Sequence, residues 1–88
     1  MSEDWVGHKL DGTDGSLGKI AGVTGEWIVV RAGRLGRTTA VPAADAVAGV
    51  GSVWVPYPRE LIRNAPRVDP GKLDEAAERG LRDHYGID

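Results

Sequence analysis

Val6-Gly7-His8-Lys9-Leu10-Asp11-Gly12-Thr13-Asp14-Gly15-Ser16-Leu17-Gly18-Lys19-Ile20 carries the pattern of a β-hairpin. Val6, His8 and Leu10 alternate with polar or small residues, the period-2 mark of a half-buried strand. Asp11-Gly12 and Asp14-Gly15 are consecutive turn signals: Asp bonds its own neighbouring backbone, and Gly accepts the positive φ a tight hairpin needs. A strand over residues 6–10, a turn over 11–16 and a second strand over 17–23 follow. Glycines recur every few residues through about residue 51, which is turn punctuation rather than helix.

Working outward, Thr24-Gly25 is a tight connection into a third strand over 27–31. Its run Trp27-Ile28-Val29-Val30 is apolar on both faces, the pattern of a central strand covered on both sides. A turn over 32–36 precedes a fourth strand over 37–41 that ends at Pro42. Residues 43–51 are small and apolar, and a short helical turn and an irregular crossover both fit them. A fifth strand over 52–55 stops at Pro56, which lacks the ladder donor. Residues 59–64 fit one helical turn.

The C-terminal stretch changes period. Asp69 is a good N-cap and Pro70 a good first helical residue, which predicts a helix over about 70–85. Leu73, Ala76, Ala77, Gly80, Leu81 and His84 form its apolar face, with Gly86 as the stop. Acids Asp74, Glu75 and Glu78 sit early and Arg79 and Arg82 late, as the helix dipole favours. Gly80 costs about 1 kcal/mol relative to Ala; a close backbone approach to the strands is one reason to tolerate it.

The whole chain, residues 1–88, reads as one domain, with the strands over about 5–67 and the helix behind them. At this size the core is thin, so pairing with a second copy would help; a homodimer is expected. There are 0 Cys, hence no disulfide framework or thiolate metal site. Met1-Ser2-Glu3-Asp4 carries no apolar run, so no signal peptide is expected, and no stretch reaches the ~20 apolar residues of a membrane span. A cytoplasmic protein is expected. The net charge of -2 argues against a dedicated nucleic-acid binder. It is unevenly spread: residues 1–26 hold two Lys against five acids, 27–67 six Arg against two acids, and 68–88 one Lys and two Arg against six acids. A basic centre between acidic flanks allows the C-terminal segment to dock on the middle of this chain or of a partner.

The order and spacing of several short motifs resemble the PRC-barrel domain, the module of the photosynthetic reaction centre H subunit and of a bacterial ribosome maturation factor. They are Gly7 with Asp14-Gly15-x-x-Gly18-Lys19-Ile20, Val41-Pro42, and Val53-x-Val55-Pro56-Tyr57 leading into Ile62-Arg63-Asn64-Ala65-Pro66. Asp69-Pro70-Gly71 and His84-Tyr85-Gly86 are similar to stand-alone actinobacterial members. The resemblance spans nearly the whole chain. It implies a mostly β fold: a small, highly bent antiparallel β-barrel of about five to six strands with one C-terminal amphipathic helix. It also implies a protein–protein adaptor or scaffold, and no shared catalytic residues to carry over. The link Gly22-Val23-Thr24-Gly25-Glu26 is shorter than in many relatives, and the segment before the last helix is compressed.

The residues themselves offer no reactive site. His8 and His84 lack the third and fourth ligands a zinc site wants, and a packed or surface His is the plainer reading; at a helix–strand seam His84 could make docking pH-sensitive. Ser16, Ser52, Thr13, Thr38 and Thr39 have no base beside them in any nucleophile context. Gly12, Gly15 and Gly18 lead into a strand, not the helix a phosphate loop opens. A non-enzymatic protein without cofactor or metal is expected. Trp27 reads as core. Trp54 points away from Val53 and Val55, either under the C-terminal helix or into solvent. Exposed beside Tyr57, Arg59 and Arg63, it is hot-spot material. Arg31, Arg34 and Arg37 cluster around one turn, a solvated loop or a patch for an acidic partner. The alternative function is an RNA- or ribosome-associated accessory using that Arg-rich surface.

Overall fold

The computed structural model describes residues 5–32, 37–68 and 73–86. Among these described residues six strands and two helices follow in chain order: β1 Lys9–Gly12, β2 Gly15–Thr24, β3 Trp27–Ala32, β4 Arg37–Pro42, β5 Val47–Ala48, β6 Ser52–Trp54, α1 Arg59–Arg63 and α2 Glu75–Tyr85. The strands make one sheet in the order β4-β3-β2-β1-β6-β5. Neighbours are antiparallel except β1 and β6, which run parallel. The protein is mostly β with a helix at its C-terminus, as the sequence predicts, and the sheet is mixed rather than wholly antiparallel.

Barrel describes this sheet only loosely. β4 and β5 are its two ends and do not pair, so the ladder is open. The curl comes from irregularities in the long strands: the register shifts between Leu10 and Asp11 and again between Ile20 and Gly22, and such bulges bend a strand and increase its twist. One core draws Leu10, Ile20, Ile28, Val30, Val41, Val53, Val55 and Ile62 from β1, β2, β3, β4, β6 and α1 and the loop between them. The chain then returns along the free edge of β4. Val68 N–H donates to Thr38 O at 3.1 Å, and Thr39 Oγ1 donates to Pro66 O at 2.8 Å.

β3 is buried on both faces, as its apolar run demands: residues 27–30 are all buried. Its inner face feeds the main core. Its outer face carries Trp27, which joins Ala40, Ala65, Val68 and Leu81 in a second cluster beneath α2. Leu81 is 0% exposed, and burying such a side chain is worth about 1.5–3 kcal/mol. Trp27 Nε1–H donates to Glu78 Oε1 at 3.3 Å, and Tyr85 O–H donates to Ala40 O at 3.0 Å, so both ends of α2 are pinned to the sheet.

Four expectations change. The turn expected over 11–16 shrinks to Thr13-Asp14, because Asp11 pairs with Ser16 and Gly12 with Gly15 and extend the ladder. The first strand begins at Lys9, because Trp5 to Gly7 form a turn in which His8 N–H donates to Trp5 O at 3.0 Å and Gly7 takes φ 88°. The undecided segment 43–51 becomes a turn and a short extra strand, β5: Ala46 N–H donates to Ala43 O, and Val47–Ala48 pair with β6. The C-terminal helix begins at Glu75 rather than 70. Asp74 caps it, its side chain accepting from Ala77 N–H at 2.8 Å, while Asp69 and Pro70 lie outside the described residues. Of its predicted face, Leu81 is buried and Ala76 is exposed.

Candidate functional site

Away from the two register shifts, alternation places every second residue of β1, β2, β3 and β6 on the outer face. Leu10, Ile20, Val30 and Val53 point into the core, so Lys9, Lys19, Arg31, Ser52 and Trp54 point out. The register then lines them up. Arg31 pairs with Thr38 on one side and Lys19 on the other; Lys19 pairs with Lys9, and Lys9 with Ser52. Three cations therefore stand side by side across β3, β2 and β1, at the strand spacing of about 4.8 Å, and all three are exposed.

Like charges directly opposite on a sheet are destabilising. Among the described residues no acid offsets these three by an ion pair; the ion pairs found join Arg82 to Glu26 and Glu78. The adjoining outer row is Ser16, Asp11, Trp54 and Val47. In it Trp54 is 41% exposed and its cross-strand neighbour Val47 59% exposed. The open question about Trp54 is thus decided: α2 covers the Trp27 end of the outer face and leaves Trp54 in solvent.

The other singled-out residues disperse. Tyr57 turns inward: its ring packs on Tyr85 at 5.2 Å between centroids and against the main core. Burial raises its pKa, with Asp45 as a second cause. Burial likewise pushes the Tyr85 phenol well above its ordinary value, Tyr57 adding to it. Arg37 pairs with Ala32 and so belongs to the opposite face from Arg31, because adjacent residues alternate. Arg34 lies outside the described residues. Arg59 and Arg63 are exposed on α1, one helical turn apart.

Lys9 and Lys19, which the sequence did not single out, are the residues that Arg31 joins. The available signal was their symmetric placement beside Leu10 and Ile20 in the first hairpin. His84 occupies the seam between the helices, its Nε2 2.6 Å from Leu61 O. His8 Nδ1 is buried without a hydrogen-bond partner among the described residues. Comparison with known proteins returns no match to a family model and none among curated proteins.

Proposed function

We propose that this chain is a non-enzymatic interaction module of PRC-barrel type, which engages a partner protein through the outer face of its sheet. The observation that carries the reading is the exposed Trp54–Val47 pair beside the row of Lys9, Lys19 and Arg31, which no acid pairs among the described residues. Exposed Trp and Arg are the residue types on which interface energy concentrates. A row of like charges that costs stability in the free chain is compatible with binding to something acidic.

The test is affinity capture from the host's lysate by the tagged chain, by Trp54→Ala and by Lys19→Glu, with nuclease treatment and a salt series. A protein retained after nuclease by the parent chain and lost by both variants supports the reading. Equal capture by all three baits rejects it.

The cation row also favours a second reading, an RNA-associated accessory. That reading requires capture to disappear with nuclease and affinity to fall steeply with salt, by about 0.7 in the logarithmic slope for each phosphate neutralised on a single strand.

A further inference from the structure

We infer that the partner segment is an acidic amphipathic helix lying across β3, β2 and β1, with acids over Arg31, Lys19 and Lys9 and an apolar residue against Trp54. The inference rests on the proposed role of the outer face as the contact surface.

The row runs perpendicular to the strands, so its cations are set by the inter-strand distance, about 4.8 Å between neighbours and about 10 Å from Arg31 to Lys9. On an α-helix, positions i, i+3 or i+4 and i+7 lie on one face, advancing about 4.5–6 Å and then about 10.5 Å along the axis. Acids at those positions match the row cation for cation. An extended strand does not: its same-face residues are about 6.7 Å apart, so it drifts out of step by the third charge. A fourth helical position, i+11, advances about 16 Å and arrives over β6, the strand that carries Trp54 two residues beyond Ser52, the partner of Lys9.

Charge complementarity selects acids over bases, since Asp11 is the one acid in these two rows. The apolar end selects protein over single-stranded nucleic acid. Sequence-tolerant strand binding relies on successive aromatic platforms, whereas Trp54 is flanked across the strands by Val47 and Asp11.

The probe is a fluorescein-labelled helical peptide with Glu at i, i+3 and i+7 and Leu at i+11, titrated into the full chain and followed by anisotropy. A scrambled peptide of equal composition and a labelled oligouridylate run beside it. Saturable binding is expected for the patterned peptide. Lys19→Glu should weaken it about tenfold or more, the effect of 1.4 kcal/mol. Replacing the central Glu of the peptide by Lys should restore binding to Lys19→Glu, and Trp54→Ala should weaken it independently of salt.

Equal binding of the scrambled peptide, absence of peptide binding, or tighter binding of the oligouridylate would overturn the inference. If the peptide fails while lysate capture still depends on Trp54 and Lys19, the interaction face stands and only its helical occupant falls. If capture does not depend on them either, both fall.

Discussion

Asp14 Oδ1 accepts a hydrogen bond from the backbone N–H of Arg59 at 2.8 Å, across 45 residues of sequence. The first hairpin turn thereby caps α1, whose own preceding residue, Pro58, makes no side-chain cap. Thr13 N–H donates to Tyr57 O at 3.1 Å beside it, so the turn and the start of α1 are stitched twice. Asp14→Ala should destabilise the fold by about 1 kcal/mol, as loss of an N-terminal cap does. Asp14→Asn, which keeps an acceptor, should lose less. Urea unfolding of both variants checks this, and equal effects would show that charge rather than the hydrogen bond matters.

Two glycines should respond in opposite directions to alanine. A Cβ on Gly12 would sit against Tyr57 O, backbone that cannot yield cheaply, so Gly12→Ala should lower the melting temperature. A Cβ on Gly80 would meet only Pro66 Cγ at 3.8 Å, an ordinary contact. The space beside Gly80 therefore does not require glycine, and Gly80→Ala should gain about 1 kcal/mol from helix propensity.

Leu81→Ala should cost about 2–5 kcal/mol, because it empties a site closed by Trp27, Ala40, Ala65 and Val68. A loss under about 0.5 kcal/mol would mean that α2 does not dock on its own sheet in solution.

The pH prediction follows from the two raised phenols. Both fold in the neutral form, so above the unfolded value of about 10 the native state holds protons that the unfolded chain releases. Their contribution is fully present below that pH and is lost as pH climbs further. The melting temperature should fall more steeply above about pH 10 for the parent than for Tyr85→Phe. At neutral pH Tyr85→Phe should itself cost about 1 kcal/mol for the bond to Ala40 O. Parallel alkaline profiles for the two chains would contradict the assignment.

Lys19→Glu should leave the free protein as stable or a few tenths of a kcal/mol more stable, since it turns two cross-strand repulsions, with Lys9 and Arg31, into attractions. A binding residue behaves this way: its loss helps the free chain and harms the complex. A clear drop in stability on thermal unfolding would instead make Lys19 a structural residue.

Local chemistry carried much of the fold into view. Asp14-Gly15 reads as a turn, Trp27 to Val30 as a doubly covered strand, and Gly86 as the helix stop; Gly86 takes φ 69°, its N–H bonding back to Arg82 O. Where two local solutions were equally good, the sequence left the choice open or misplaced it. The sequence reads Asp69 as the cap and Asp74 as an acid inside the helix, whereas α2 begins after Asp74, whose side chain accepts from Ala77 N–H. β5 is two residues long and exists only because β6 is beside it. The parallel pairing of β1 with β6 joins segments more than 40 residues apart, with no local signal for it.

The alternation of Lys9 with Leu10, Lys19 with Ile20, Val30 with Arg31 and Val53 with Trp54 was present in the sequence, and by itself it determined which residues share a face with their own strand neighbours. That Lys9, Lys19 and Arg31 stand in one row, and that Trp54 rather than Trp27 is left in solvent, follows from long-range packing. Register across two hairpins sets the first, and a one-residue slip would send each cation to the other face. The docking of α2 over Trp27 sets the second, and it depends on side chains brought together from β3, β4 and the segment after α1.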